Sequence, residues 1–455
     1  MDQPMPWRDL FRGSRGQLTA GILLVEFLVA VEALVVVAIM PAARHELGGL
    51  QYYGLVFTGF SLAALVASPL GGRAADRRGA AGPFLGFMVV FAAGTLLCGL
   101  APSIEALVLA RILQGLGAGG AYTAALAAVT RTYPDSARAR MLALLAGAWI
   151  VPGLLGPSYG ALLASSVGWR WAFFSIIPLI VVALALAFPR LRTLPRSPTT
   201  DTLALRWPLQ LAMGLAAVVT GASWPSLLSG PLILIGGALA ITSLLAILPA
   251  GSLRAKRGMP AAIVMTAILV LAFISTEYFI PLILTTVRGR SLTEAGIVVT
   301  IGTVSWSLGN WWQARVVDRL STVTLVRAGA LILTISIAGI MLMLANAPLL
   351  ISYLAWLLAG VGMGIAYPSA YLVIMRDAPA GGEGAAISSQ QVAERLALAV
   401  GGGLGGGCIA LALTLHAPLR AGLAGALGLA FVASLAALAI ARRVTLPLAA
   451  ESDAP

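Results

Sequence analysis

The sequence predicts an all-α integral membrane protein of two six-helix halves with two additional central helices, fourteen membrane helices in all. Three observations lead there. Hydrophobic residues make up 59% of the 455 and charged residues only 10%, against about 25% charged in a soluble domain. Apolar runs long enough to cross a bilayer recur along the chain, and the pattern of two of them appears twice, in the same order.

The composition rules out a water-soluble fold. Every soluble domain keeps a large exposed shell, and a chain with mean hydropathy +0.96 has too few polar residues to cover one. Glycine is abundant, 51 residues, which suits helices that pack closely in lipid. The formal charge of +12 would point to nucleic acid in a soluble protein. Here the basic residues sit in short loops and set orientation, so no nucleic-acid partner is expected. Cys98 and Cys408 fall inside apolar runs without metal or redox spacing and read as small core residues. The first apolar run is too long for a signal-peptide core and reads as the first span.

A helix needs about 20 residues to cross the hydrocarbon layer. Runs of that length lie near 18–41, 50–70, 82–101, 104–130, 140–165, 171–188, 207–225, 228–250, 260–285, 293–313, 326–345, 348–374, 384–413 and 420–441. Twelve spans is the alternative, if the pair at 207–250 does not cross. Of the 29 basic residues, 22 fall in loops on the side of the N-terminus and five (Arg44, Arg170, Arg288, Arg290, Arg420) on the other. By the positive-inside rule this bias places both termini in the cytoplasm of a multi-pass protein of the cell (inner) membrane. Arg111 and Arg395 lie within spans.

The repeat divides the chain. Gly54 opens a run ending in Asp76-Arg77, and Gly296 opens one ending in Asp318-Arg319, an offset of 242 residues. Gly115-Leu116-Gly117-Ala118-Gly119-Gly120-Ala121-Tyr122 then matches Gly360-Val361-Gly362-Met363-Gly364-Ile365-Ala366-Tyr367 at an offset of 245. Two ordered matches mark a duplication, and parallel repeats place a substrate site near the midplane. The expected organisation is an N-terminal half at 1–188, a linker with two additional helices at 189–258, and a C-terminal half at 259–455.

Four motifs stand out. After the second span comes Gly72-Arg73-Ala74-Ala75-Asp76-Arg77-Arg78-Gly79, read as a tight loop whose acid pairs with arginines. The fourth span holds Arg111-Ile112-Leu113-Gln114-Gly115-Leu116-Gly117. An arginine there costs at least about 2.5–3.5 kcal/mol in lipid, so a partner or a water-filled cavity is expected, with snorkelling as the plainer reading. The fifth span holds Gly156-Pro157-Ser158-Tyr159-Gly160, which combines a helix bend with close packing. Trp169-Arg170-Trp171 reads as an interfacial anchor.

These motifs resemble those of the major facilitator superfamily, and with fourteen spans the chain is similar to its drug:proton antiporter branch. The family's Gly-x-x-x-Asp-Arg-x-Gly signature is matched at Gly72, Asp76, Arg77 and Gly79, though Ala80 and Ala81 replace its trailing basic pair. The fourth-span Arg-x-x-Gln-Gly-x-Gly pattern is complete at Arg111, Gln114, Gly115 and Gly117. The antiporter pattern is kept at Gly156, Pro157 and Gly160 but ends in Ala161. The resemblance implies a major-facilitator-type fold, gating by the Asp76-Arg77 loop and its Asp318-Arg319 counterpart, and outward transport. Where the family often has a first-span aspartate, this chain has Glu32, before Ala38-Ile39-Met40-Pro41.

Glu26, Glu32, Glu277 and Glu394 fall inside predicted spans. Each is costly in lipid unless protonated, paired or facing a cavity. Glu26 and Glu32 lie about 240° apart around one helix, so they cannot share a face. Glu32 is the first candidate for proton coupling, with Arg111 as its modulator and Glu26 as the alternative. Glu277, Glu394 and Arg395 are candidate cavity residues, and Glu394 and Arg395 point about 100° apart toward different neighbours.

The function that follows is secondary active transport: proton-coupled efflux of lipophilic or amphiphilic small molecules such as drugs. The alternative is an exporter of lipid or a metabolite on the same fold. Acids in such a cavity favour cationic compounds only weakly, because a protonated acid carries no charge. An enzyme is not expected, since His45 and His416 lie in loops and no metal motif or nucleotide loop is present. The expected partners are a small-molecule substrate, protons and membrane lipid, with no cofactor and no metal, and the expected state is a monomer. A fluorescent protein fused after Pro455 should fluoresce, while alkaline phosphatase fused there should be inactive. The opposite pair of results would place the C-terminus outside.

Overall fold

The computed structural model describes residues 7–133, 135–194, 205–223, 228–379 and 382–445; Arg196, one of the loop arginines above, lies outside them. The chain divides into two compact units, Met1–Ala212 and Met213–Pro455. In the first, a 3-10 turn (Trp7–Phe11) leads into α1 (Gly13–Leu47), α2 (Tyr53–Arg78), α3 (Ala81–Leu100), α4 (Ile104–Thr132), α5 (Asp135–Gly147), α6 (Ile150–Ser166), α7 (Arg170–Phe174) and α8 (Ile177–Leu191). Helix α9 (Arg206–Ser223) runs across the division. The second unit continues with α10 (Ser229–Ile247), α11 (Met259–Leu282), α12 (Leu292–Val316), α13 (Thr322–Met341), α14 (Leu349–Asp377), α15 (Glu383–Thr414) and α16 (Leu419–Ile440). Among the described residues, twelve helical stretches are long and apolar enough to cross a membrane.

The duplication is visible in the packing inside each unit. In the first, α4 packs against α2 and α3, and α1 against α6 and α8. In the second, α14 packs against α12 and α13, and α11 against α15 and α16. Glycines set the closest of these approaches. A Cβ on Gly115 would stand 2.3 Å from the Phe60 carbonyl oxygen, and one on Gly119 would stand 2.5 Å from that of Ala64. In the second unit a Cβ on Gly360 would stand 2.2 Å from the Gly302 carbonyl, and one on Gly364 would stand 2.3 Å from that of Trp306. The offsets are 245 residues on α4/α14 and 242 on α2/α12, the two offsets of the sequence repeat. Small residues four apart let the backbones touch, so dispersion contacts replace the missing hydrophobic drive in lipid.

The helix ends are tied in a related way. Thr19 Oγ1 hydrogen-bonds the Tyr133 hydroxyl at 2.6 Å and donates to the Leu10 carbonyl at 2.7 Å, joining α1, the end of α4 and the N-terminal turn. In the second unit the Met259 backbone N–H donates to Asp377 at 2.5 Å, so the end of α14 caps the start of α11. Helices α9 and α10 cross at Gly214 and Gly236, each within 2.6 Å of the other's carbonyl oxygen if given a Cβ. They rest on α15: a Cβ on Gly407 would meet Ala222 at 3.1 Å, and Ser389 donates to the Ile247 carbonyl at 3.3 Å.

Three expectations are corrected. The span at 140–165 is not continuous: it breaks at Ala148–Trp149 into α5 and α6, because Pro152 has no N–H for the Ala148 carbonyl. The span at 171–188 divides into α7 and α8 for the same reason, with Pro178 four residues after Phe174. The motif Gly72–Gly79, expected as a loop, is the last two turns of α2, which ends only at Gly79 with φ 82°. Its Arg73-Ala74-Ala75-Asp76-Arg77-Arg78 run consists largely of good helix formers, and glycine supplies the left-handed stop. Asp318 and Arg319, by contrast, lie in the turn after α12.

Gly119→Val and Gly364→Val should each destabilise their unit by about 1–3 kcal/mol or more, since backbone stands where the new side chain would go. Gly86→Ala, with nothing within 4 Å of its added Cβ, should leave the melting temperature unchanged or raised. Thermal unfolding of the purified protein in detergent checks both.

Candidate functional site

Position 111 falls where α4 passes both α1 and α2, and the close α2–α4 packing at Gly115 and Gly119 brings the Arg111 side chain against both of those helices. Its Nη1 forms an ion pair with Glu32 Oε1 on α1, with both residues buried. Nη1 also donates to Gln114 Oε1 at 2.7 Å, and Nε donates to the Val56 carbonyl on α2 at 3.2 Å. The guanidinium plane lies over the Phe60 ring, 4.3 Å from its centroid. Gln114 in turn donates from Nε2 to Thr95 Oγ1 on α3 at 3.0 Å, and Thr95 donates to the Phe91 carbonyl at 2.7 Å. Cys98 donates to Gln114 Oε1 at 3.6 Å.

The result is a polar chain, Glu32–Arg111–Gln114–Thr95, buried among four helices whose surroundings are apolar. Arg111 is 2% exposed, so it is held by partners and does not snorkel. The second carboxylate oxygen, Glu32 Oε2, is buried and accepts no hydrogen bond. A protein interior satisfies nearly all such atoms, so this oxygen stands out.

Glu26 stands elsewhere, as the helical spacing required. Its Oε1 accepts a 2.6 Å hydrogen bond from the Trp149 indole N–H, at the break between α5 and α6. Gly156 and Gly160 pack α6 onto α1 beside the turn that carries Glu32: a Cβ on Gly160 would stand 2.9 Å from Val35 Cγ1. Pro157 lies inside α6 and is buried. Their counterparts by offset, Gly401 and Gly405, pack α15 onto α11 at Ser275 and Phe279.

Of the remaining candidates, Glu277 is buried on α11, four residues before Pro281, and far along the chain from the polar chain of the first unit. Glu394 and Arg395 are half-buried on α15. Asp76 and Arg77 sit at the end of α2, away from Glu32 in sequence by more than a full helix length. Thr95, Cys98 and the Val56 carbonyl were not singled out by sequence reasoning. Only the i, i+3 spacing of Arg111 and Gln114 hinted at a relay, and a lone threonine in an apolar run carries no signal of its own.

The profile of the Major Facilitator Superfamily matches residues 22–402. A probable multidrug-efflux transporter of Mycobacterium tuberculosis (strain H37Rv) is 26% identical over 427 residues, covering 88% of each chain. The multidrug efflux pump SdrM of Staphylococcus aureus (strain N315) is 21% identical over 78% of this chain and 81% of its own. The MFS-type transporter pydD of Acremonium sp is 29% identical, but the match spans only 46% of this chain and 37% of that protein. Among solved structures, a D-xylose–proton symporter superposes with TM-score 0.66 at 18% identity, covering 93% of this chain and 96% of the other. A POT family transporter in complex with a thioalcohol-conjugated peptide gives TM-score 0.68 at 15% identity, over 94% and 96%. At such identities these structures speak for the fold alone.

Removing one partner of the buried pair leaves a naked charge. Arg111→Ala should therefore cost about 3–5 kcal/mol of stability. The double variant Glu32→Gln with Arg111→Gln should recover much of that loss, read as unfolding midpoints in detergent. Equal losses from the single and double variants would mean that the pair is not the reason.

Proposed function

The chain belongs to the Major Facilitator Superfamily and is a multi-pass membrane transporter of a small-molecule substrate. From that premise we propose that it is a proton-coupled exporter of lipophilic or amphiphilic compounds, of the drug:proton antiporter kind. The observation that carries this reading is the buried Glu32–Arg111 pair with its unpartnered carboxylate oxygen. A proton arriving on Glu32 Oε2 neutralises one side of the pair. Arg111 then loses its charged partner on α1 but keeps Gln114 and the Val56 carbonyl, and the tie between α1 and α4 weakens. Losing the proton restores it. A carboxyl that switches a helix–helix contact in this way links proton occupancy to the arrangement of α1 against its neighbours.

Glu26 is the second candidate, and its bond to Trp149 would couple a proton to the α5–α6 break instead. Gly156, Pro157 and Gly160 act in the same proposal as the close contact past which α1 moves, and Asp76, Arg77, Asp318 and Arg319 as gating groups at helix ends. Support for efflux comes from the relatives whose names state it, at 21–26% identity. Fourteen crossings, with α5–α6 and α9 added to the twelve stretches above, cytoplasmic termini, an inner-membrane location and a monomeric state belong to the same proposal.

The test is efflux of a lipophilic cationic dye from cells expressing the protein, with and without a protonophore. Efflux should be abolished by the protonophore and fall to the level of cells lacking the protein in Glu32→Gln, while Glu26→Gln should retain part of it. Gradient-driven efflux that survives both substitutions together would sink the coupling role. A well-expressed protein that moves no dye would favour a lipid or metabolite cargo, to be followed by lipid extraction.

A further inference from the structure

The first unit holds a cavity of about 540 Å³ at the end of its bundle on the side of the N-terminus. Arg12 and Arg15 line it from the start of α1 and Arg190 from the end of α8, with Ser14, Thr132 and Thr193 between them. No Asp or Glu is among the described residues of its wall. Arg190 donates from Nε to the neutral amide of Gln17 at 2.6 Å. Thr132, at the end of α4, has a buried hydroxyl oxygen that makes no hydrogen bond.

The three helix ends are fixed close to this cavity. A Cβ on Gly21 would stand 2.7 Å from the Ala187 nitrogen, so α1 and α8 touch backbone to backbone. The 2.6 Å bond from Thr19 to Tyr133 ties α1 to the end of α4. Beyond these ties the helices end and the cavity begins, so its shape is set before any ligand arrives.

The duplicate shows what the fold puts at this corner. By the 245-residue offset of α4 and α14, the counterpart of Thr132 is Asp377. Its carboxylate accepts the Met259 N–H at 2.5 Å, at the start of α11. The second unit thus supplies its own anion beside the first residues of its first repeat helix. The first unit has a neutral hydroxyl in that place, facing arginines.

Depth and surroundings point to lipid. Arg15 stands three residues before the apolar run that begins at 18, Thr132 two after the run that ends at 130, and Arg190 two after the run that ends at 188. At 1.5 Å per residue each is about 3–5 Å outside the hydrocarbon, the level of lipid headgroups. Helix α8 exposes Val181, Val182 and Ala185, an apolar side along which acyl chains can lie beside the helix that carries Arg190.

We propose that Arg12, Arg15, Arg190 and Thr132 form a site for the phosphate of an anionic phospholipid headgroup, which takes the part that Asp377 plays in the second unit. Guanidinium groups bind phosphate oxygens through short, charge-assisted hydrogen bonds, and the Thr132 hydroxyl donates one more. The Gly13 and Ser14 amides precede the first intrahelical bond, from Gly16 to Arg12 at 3.0 Å, and add the positive end of a 35-residue helix. A zwitterionic headgroup brings its own ammonium and is attracted less. The bound headgroup ties the start of α1, the helix that carries Glu32, to the ends of α4 and α8. The site is independent of cargo and of proton coupling.

The test begins with the full chain reconstituted in vesicles of equal parts dioleoylphosphatidylglycerol and dioleoylphosphatidylcholine. Lipid retained after detergent extraction and purification is quantified by mass spectrometry. Phosphatidylglycerol should be retained in preference to phosphatidylcholine. Arg15→Gln and Arg190→Gln should each lower the retained ratio about fivefold, the worth of one basic residue beside an anionic surface. Thr132→Asp, which writes the second unit's carboxylate into the first, should abolish the preference. Arg442→Gln removes the same unit of charge just after α16 and should leave the ratio unchanged. Equal retention of the two lipids would overturn the site, and so would a fall in Arg442→Gln as large as in the cavity variants, since that means diffuse attraction. In lipid-free detergent, added phosphatidylglycerol should raise the unfolding midpoint of the unsubstituted chain but not of Thr132→Asp. If inorganic phosphate raises it as much, the occupant is a free anion and the lipid assignment falls. Should Thr132→Asp or Arg190→Gln elute aggregated, Arg15→Gln decides, and an unchanged ratio there overturns the proposal. No gradient is used, so failure of this site and failure of dye efflux are separate results.

Discussion

A guanidinium cannot rest in a water-free interior without partners, and the arrangement of the first unit follows from that constraint at Arg111. The α4 backbone must come close enough to α2 for Nε to reach the Val56 carbonyl and for the plane to cover Phe60. It does so because Gly115 and Gly119 carry no Cβ where the Phe60 and Ala64 carbonyls stand. Helix α1 must then bring Glu32 to the remaining face, and Gly160 lets α6 press α1 from behind at Val35. Close packing and charge satisfaction are here one requirement: separating the helices by a methyl group would strand the ion pair.

The duplicated packing makes the difference between the units informative. By the 245-residue offset, the counterpart of Arg111 is Trp356; Val35 facing Gly156 corresponds to Ser275 facing Gly401, an offset of 240 for α1 and α11, so the counterpart of Glu32 is Ala272, beside Phe273. Where the first unit holds an ion pair, the second holds a stacked indole and phenyl ring. Corresponding helices are joined by a salt bridge in one unit and by ring stacking in the other. The same fold thus carries a charged joint in one copy and a neutral aromatic one in the other, while the second copy's membrane acids stand at Glu277 on α11 and Glu394 on α15.

Prolines locate the breaks in this otherwise continuous helical packing. Pro152 and Pro178 each deprive a carbonyl four residues earlier of its bond, and the helices divide at those points. The first of these breaks is where Trp149 turns to donate to Glu26. Pro281 stands four residues after Glu277 and is followed by a π turn at Ile283–Val287. Irregular backbone beside a membrane acid recurs in both units, and it is at such breaks that a helix yields most easily.

The sequence by itself determined the solvent, the number and order of most helices, the duplication and three members of the polar chain, Glu32, Arg111 and Gln114. Each of these is written in local composition: hydropathy over about 20 residues, glycine spacing, and a charge where none is tolerated without reason. Tertiary structure alone decided the partners. Glu26 and Glu32 share one helix, but Glu32 meets Arg111 and Glu26 meets Trp149, because helical phase relative to α4 and α6 is set by packing. Thr95 and Cys98 join the polar chain only through the α3–α4 contact. Five aromatic residues from three helices, Phe273, Trp306, Trp356, Tyr367 and Tyr371, become a ladder only when those helices are side by side. Contacts between residues distant in the chain depend on which faces the glycines let approach, and that is a property of pairs of helices, not of either one alone.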